Sequence, residues 1–225
     1  MNRHKQYDPM VKTLEYFSGT RPEMMNYVPV SAGTILEIGC GEGKFGLRLK
    51  EERGAKVWGV EYDPASAMKA EKVLDRVIAG DVTMALNELP DAYFDAVVCN
   101  DVLEHLTDPY TVLDRLKKKL SLNGVVVSSI PNVRFFRNLY DLVFRKNWDY
   151  TEDGILDKTH FRFFTKNSIR KMYEGAGYKI LHLEGINASK SIRPIFWNLL
   201  FLGAFSDIKY RQFATVATPD TGTNS

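Results

Sequence analysis

Three groups of residues are typed and spaced for chemistry. Gly39, Gly41 and Gly43 alternate directly after the run Thr34-Ile35-Leu36-Glu37-Ile38. Glycines lack a Cβ and reach positive φ, so this turn can bend sharply and let a flat, polar ligand lie against its backbone N–H groups. Asp101, Glu104 and His105 stand at i, i+3 and i+4. A helical conformation would bring two carboxylates and an imidazole onto one face, a set that could hold a divalent ion. His160 forms the third group with Arg162. An imidazole titrates near neutrality and could take a proton from a hydroxyl, while a guanidinium could pair with a phosphate or carboxylate. The same two side chains could instead tie their loop to a sheet.

Strands alternating with helices must position these groups, and the pattern is present. Residues 34–38 read as a strand, the glycines as a turn, and the stretch holding Phe45 and Leu49 as a helix stopped at Gly54. Residues 56–61 end on Glu61, an acid about 20 residues beyond the turn, the distance at which a βαβ unit grips ribose hydroxyls. Asp63-Pro64 starts a helix predicted to run to about Arg76, followed by a short buried strand over 77–79 and a short helix or loop over 83–90. Residues 94–99 are apolar almost throughout, which suits a central strand covered on both faces. Asp108-Pro109 opens a helix with Leu113, Leu116 and Leu120 inward, and the basic run Lys117 to Lys119 complements its macrodipole. Asn123-Gly124 predicts a turn into a strand over 125–130. Thr165 caps a last helix with Ile169, Met172 and Tyr173 on its inner face, and residues 178–183 and 211–217 read as the final strands.

The glycine turn alone would fit a dinucleotide fingerprint or a crowded helix–strand junction. The spacing Glu37-Ile38-Gly39-Cys40-Gly41-Glu42-Gly43 differs from G-x-G-x-x-G, however. Together with Glu61 and Gly80-Asp81-Val82 it resembles the class I S-adenosylmethionine-dependent methyltransferases. The resemblance implies an α/β, Rossmann-like doubly wound sheet of seven strands in the order 3-2-1-4-5-7-6, strand 7 antiparallel, with S-adenosylmethionine as cofactor. It implies cofactor contacts from Glu37, Gly39, Cys40, Gly41, Gly43, Glu61, Tyr62, Asp81, Val82 and Asn100. Glu61 would hold the ribose, and Asp81 with the following backbone N–H the adenine; Asp81 reads equally as a helix cap.

Resemblances within the family bear on the other two groups. Asp101 to His105 is similar to the E-x-x-E-H of ubiquinone-pathway O-methyltransferases and plant small-RNA 2′-O-methyltransferases, which are metal-assisted. Here Asp101 stands for the longer acid, and His160 would be the later histidine. The same Leu103-Glu104-His105-Leu106 wording occurs in members with no known metal, so a metal held by Asp101, Glu104, His105 and His160 is not the favoured expectation. His160 and His105 are the catalytic candidates. Residues 157–165 resemble the D-x-T-H-x-R-F-F-T stretch of bacterial methyltransferases associated with cell-surface polysaccharide synthesis. That implies a small-molecule, sugar or lipid-linked acceptor, methylated on oxygen.

At 225 residues, 44% hydrophobic and 26% charged, one domain with a full core is expected. Residues 1–31 would supply an N-terminal helix (Met10, Leu14, Phe17) as a lid and a linker; 34–130 the cofactor core; 131–166 an aromatic-rich acceptor cap; 167–218 the last helix and strands; and 219–225 a disordered tail. The apolar stretch 192–205 is too short to span a bilayer. Packing or a homodimer contact is favoured for it over rest on a membrane surface. A formal charge of +2 does not favour nucleic acid. The alternatives are a nucleic-acid 2′-O-methyltransferase and a non-catalytic cofactor-binding module acting through a protein partner. Cys40 and Cys99 make no disulfide framework and no signal peptide is read, so a cytoplasmic setting is expected, with a place on the inner membrane face left open.

Overall fold

The computed structural model describes residues 20–220 and Gly222. The helix expected over 9–17 lies outside the described residues. Seven strands form one sheet: β1 (Thr34–Ile38), β2 (Lys56–Glu61), β3 (Arg76–Ala79), β4 (Phe94–Asn100), β5 (Leu120–Pro131), β6 (Tyr178–Ala188) and β7 (Tyr210–Pro219). Their order is β3-β2-β1-β4-β5-β7-β6, with β7 antiparallel to both its neighbours, as expected.

The alternation of side chains along the central strands creates two cores. Leu36, Val97 and Val126 face one side; Ile35, Val98 and Val127 face the other. Helices α3 (Val82–Ala85), α4 (Pro109–Lys119) and α6 (Lys166–Gly175) cover the first face through Leu113, Leu116, Met172 and Tyr173. Helices α1 (Lys44–Arg53) and α2 (Pro64–Ala70) cover the second with Phe45, Leu49 and Ala70. A 3-10 helix over Pro22–Tyr27, in the stretch expected to be a linker, adds buried Met24 and Met25 there. Three helix starts follow their sequence signals: Asp63 caps α2, Asp108 caps α4, and Thr165 with Ser168 forms a capping box on α6.

Some boundaries differ from expectation. Helix α2 ends at Ala70 rather than Arg76, because the Val73 and Leu74 amides both turn back onto the Ala70 carbonyl and Leu74 drops into the core against Gly43 and Gly59. Asn123-Gly124 makes no turn. It lies inside β5, in the extra length between the Phe94↔Leu120 and Ala96↔Val125 pairs, and Leu122 bulges into solvent. Pro219, the expected start of the tail, is still paired with Tyr178.

After β5 the chain runs through α5 (Phe136–Phe144) and an irregular stretch, pinned by Asn132↔Phe164 and Thr151↔Asp157 bridges. Helix α7 (Arg193–Leu200) lies between β6 and β7 in the chain. A third apolar cluster of Phe135, Phe136 and Ile208, joined by Trp197 and Phe205, packs α5 against α7 and the chain that follows it. Among the described residues no helix is long and apolar enough to cross a membrane.

Candidate active site

The site lies beyond the carboxyl ends of the parallel strands, where β1 and β4 lead the chain in opposite directions across the sheet. After Ile38 the glycines turn the chain with φ of 67° at Gly39, 54° at Gly41 and 79° at Gly43, where α1 begins. A Cβ at Gly39 would stand 2.6 Å from Val102. The turn therefore hugs the loop beyond β4, which only glycine allows.

The backbone donors of this turn are largely consumed within the protein. The Gly39 and Cys40 amides donate to the Val60 carbonyl at 2.8 and 3.2 Å, Gly43 to Cys40, and Gly41 to Glu61 Oε2 at 2.7 Å. The expectation that a ligand lies against these N–H groups is corrected here. A pyrophosphate would need them, whereas a cofactor without phosphate does not.

Glu61 ends β2 and is 5% exposed. Its second oxygen accepts the Asp63 amide at 2.8 Å, so the carboxylate joins the glycine turn to the α2 cap. Burial holds its pKa above the usual range. Each oxygen keeps a lone pair for a ribose hydroxyl. Glu37 lies beneath the turn: its Oε2 stands 2.9 Å from where a Gly46 Cβ would be, and burial pushes its pKa up to about 8, opposed by the Gly46 amide. The Cys40 side chain packs into the sheet against Gly59, so it faces the core while its backbone shapes the turn. Cys99 is also buried and unbridged, its thiol pushed up to about 12 by burial. Tyr62 is exposed beside Glu61, Val82 is buried, and Asp81 accepts the Thr83 amide at 2.7 Å as the cap of α3. Asn100 closes β4 with both its Oδ1 and its Nδ2 buried and unpartnered among the described residues. A buried amide without partners is costly, and a polar ligand presenting a donor and an acceptor would satisfy it. The residues present therefore fit a polar, phosphate-free cofactor.

Beyond Asn100 the chain does not form the helix that would align Asp101 with Glu104 and His105. Asp101 takes φ of 54°, and only Leu103–His105 is helical, as one 3-10 turn. The Asp101 carboxylate turns instead to Arg21, to Ser129 Oγ at 3.1 Å and to Gln212 Nε2 at 2.6 Å. The structure assembles Glu104, His105 and His160, whose ligand-type atoms lie within 4.8 Å of one another. The two imidazole rings meet edge to face at 4.5 Å.

Contacts at Nδ1 set the tautomer inferred for each neutral histidine. His105 Nδ1 is 3.1 Å from the Thr159 carbonyl, and His160 Nδ1 is 3.0 Å from the Ile155 carbonyl. A carbonyl only accepts, so in each neutral ring Nδ1 carries the proton and Nε2 is the basic atom. Buried Asp157 fixes this arrangement by accepting the Thr159 amide and hydroxyl, both at 2.7 Å. The Glu104 carbonyl accepts the Phe161 amide at 2.9 Å, which locks the 160s loop to the 3-10 turn.

A cavity of about 260 Å³ opens here, lined by Asp101, Glu104, Asp157, His160, Arg211 and Gln212 among others. It falls just below the ~300–1,000 Å³ of typical small-molecule sites. Arg162 is not part of it: the guanidinium donates to the Thr107 carbonyl at 2.6 Å and lies over the Tyr110 ring, the loop-tying alternative. Arg211, which sequence reasoning did not single out, is the arginine on the cavity wall. Arg211 and Gln212 carry no local signal, because contacts far along the chain bring them in; Asp157 opens the motif over 157–165.

A seven-stranded sheet of this order, with a glycine turn lacking a phosphate nest and an acid at the end of β2, defines the class I methyltransferase fold and cofactor site. The chain belongs to the methyltransferase-domain family, whose model matches residues 1–183. It is 29% identical over 152 residues to a probable S-adenosylmethionine-dependent methyltransferase of Mycolicibacterium smegmatis, covering 68% of this chain and 54% of that one. It is 24% identical over 200 residues to a tRNA U34 carboxymethyltransferase of Campylobacter jejuni subsp. doylei, covering 77% and 65%. A S-adenosylmethionine-dependent methyltransferase from Archaeoglobus fulgidus shares the fold with a TM-score of 0.65 at 22% identity, over 87% of this chain and 90% of that one. The chain spans about half the length of the first curated relatives it matches. Its fold is that of the class I methyltransferases, and its family's cofactor is S-adenosylmethionine.

Proposed function

We propose that this protein methylates a hydroxyl group on a small, polar, sugar-like acceptor, free or lipid-linked, bound in the cavity lined by Asp101, Asp157, His160 and Arg211. The observation that carries this reading is His160: it is 8% exposed, it lines the cavity, and its Nδ1 bond to Ile155 leaves Nε2 basic. When bound, S-adenosylmethionine supplies a methyl group on a positively charged sulfur, already activated toward attack. The remaining work is alignment and proton removal. His160 Nε2 would take the proton of an acceptor hydroxyl as that oxygen is methylated. His105 packs on the His160 ring and helps hold its orientation. Asp101, Asp157, Arg211 and Gln212 give the cavity both acceptors and donors, which suits a hydroxyl-rich acceptor. The likeness of residues 157–165 to methyltransferases associated with cell-surface polysaccharides supports the same acceptor class.

An RNA acceptor is the second reading, supported by the tRNA-modifying relative and weighed against by the formal charge of +2. The test is transfer of labelled methyl groups into a bacterial extract split into lipid, small polar, nucleic-acid and protein pools, with Glu61→Ala as the cofactor control. Label in the lipid or small polar pool, lost with Glu61→Ala and with His160→Gln, is the expected result. Label confined to RNA would replace this reading with the second. No label in any pool despite cofactor binding would favour a binding module.

A further inference from the structure

The face formed by α5 and α7 is apolar where a free surface should be polar. On α7 and just beyond it Ile195 and Phe196 are 64% and 65% exposed, Leu199 and Leu200 76% each, and Leu202 96%. On α5, Val143 and Phe144 are 59% and 60% exposed. The only buried residue of α7 is Pro194. The two helices are joined: Trp197 meets Phe144 edge-on at 5.4 Å, and Arg134 binds Asp207 at 2.9 Å. They act as one platform, and a patch of this kind marks an interaction surface.

Charge decides what covers it. Between the helices runs a groove of about 610 Å³ lined by Tyr140, Trp197 and three arginines, Arg137, Arg145 and Arg193. Asp141 is the one acid on its wall, and it pairs with Arg145 at 3.3 Å. Arg137 and Arg193 have no carboxylate partner among the described residues. A second copy docked about a two-fold axis through the groove would set arginine against arginine. Apolar side chains beside tyrosine, tryptophan and unpaired arginines match the boundary of an anionic bilayer, where acyl chains, ring edges and phosphates are layered in that order.

We propose that the α5–α7 face docks on an anionic phospholipid surface, with Arg137, Arg145 and Arg193 on headgroup phosphates. Helix α7 has eight residues, about 12 Å long against a hydrocarbon core of about 30 Å, so it lies on the bilayer without crossing it. Docking would also set the acceptor cavity near the surface. Phe136 lines the groove, its neighbour Phe135 lies under the Arg211 guanidinium of the cavity wall at 5.8 Å, and both phenylalanines share one cluster. This inference is independent of the acceptor's chemistry.

Co-flotation of the full chain with phosphatidylglycerol and phosphatidylcholine vesicles tests it, alongside size-exclusion chromatography with light scattering. Binding to phosphatidylglycerol vesicles that weakens with salt is expected. Leu199→Glu with Leu200→Glu should abolish it, and Arg137→Gln with Arg193→Gln should weaken it about five-fold per arginine at low salt. Cofactor affinity, measured on the same variants, should stay unchanged, which shows that they fold. No flotation of the native chain, equal binding to both lipids, or binding kept by the Leu199→Glu, Leu200→Glu variant would overturn the proposal. So would a dimer that the same variant splits into monomers.

Discussion

The Glu61 carboxylate accepts the Gly41 amide at 2.7 Å and the Asp63 amide at 2.8 Å, so one buried acid at the end of β2 sets both the glycine turn and the start of α2. Its ligand-binding role and its structural role are therefore linked. Glu61→Gln keeps the size but leaves one of the two amides facing an NH2 group. A buried donor without an acceptor costs about 1–3 kcal/mol. Cofactor affinity measured by calorimetry should fall about 5- to 150-fold, with a lower melting temperature. Native affinity in this variant would remove Glu61 from the cofactor site.

Gly39 is held by Val102. A Cβ at Gly39 would meet Val102 at 2.6 Å, and the backbone there is left-handed at φ 67°. Gly39→Ala should cost about 2–4 kcal/mol, part from overpacking and part from backbone strain. Adding Val102→Ala relieves only the overpacking, so the double variant should melt above the value expected from adding the two single losses. Simple additivity in thermal unfolding would show that Val102 is not the obstacle.

Glu37 makes stability depend on pH. Burial raises its folded pKa from the ordinary 4.5 to about 8, so between those values the folded protein keeps a proton that the unfolded chain has released. Stability supplied by this group is complete below about pH 4.5 and is lost as pH rises toward 8. Glu37→Gln, which stays neutral, should flatten the decline in melting temperature across that range and exceed the native protein at pH 8. An unchanged slope would mean that Glu37 is ionised in the fold throughout.

How much of this was legible follows from the range of the interactions. The sheet order came through resemblance, and the strands that locate it, such as Phe94–Asn100, announce themselves as unbroken apolar runs. The glycine turn after β1 and the acid that ends β2 are local motifs, and the fold has them at those places. The turn's donors were misread because their partners, the Val60 carbonyl and Glu61, belong to the next strand. Asp101 was misplaced because i, i+3, i+4 spacing assumes a helix, while its ties to Arg21 and Gln212 hold it at positive φ. Arg211 and Arg162 exchanged places for the same reason. A strand position in β7 gives no hint of the cavity it lines, and the 160s loop turns Arg162 onto Thr107.

The cluster of Glu104, His105 and His160 admits two chemistries that kinetics can separate. As a proton acceptor, His160 acts alone on the hydroxyl, and His105 only supports its ring. His160→Gln should then lower kcat about 10²- to 10⁴-fold with little change in KM, while His105→Gln costs far less. EDTA should leave the rate of the native enzyme unchanged. Were the three residues to hold a divalent ion, each would count equally. Both histidine variants would then fall together, EDTA would abolish turnover, and one added ion would restore it. Glu104→Gln adds a further distinction: it removes a ligand in the metal case but keeps a neutral hydrogen-bonding group beside His160 in the other. The proton-acceptor reading fails if His160→Gln and His105→Gln lose the same activity and EDTA reproduces that loss.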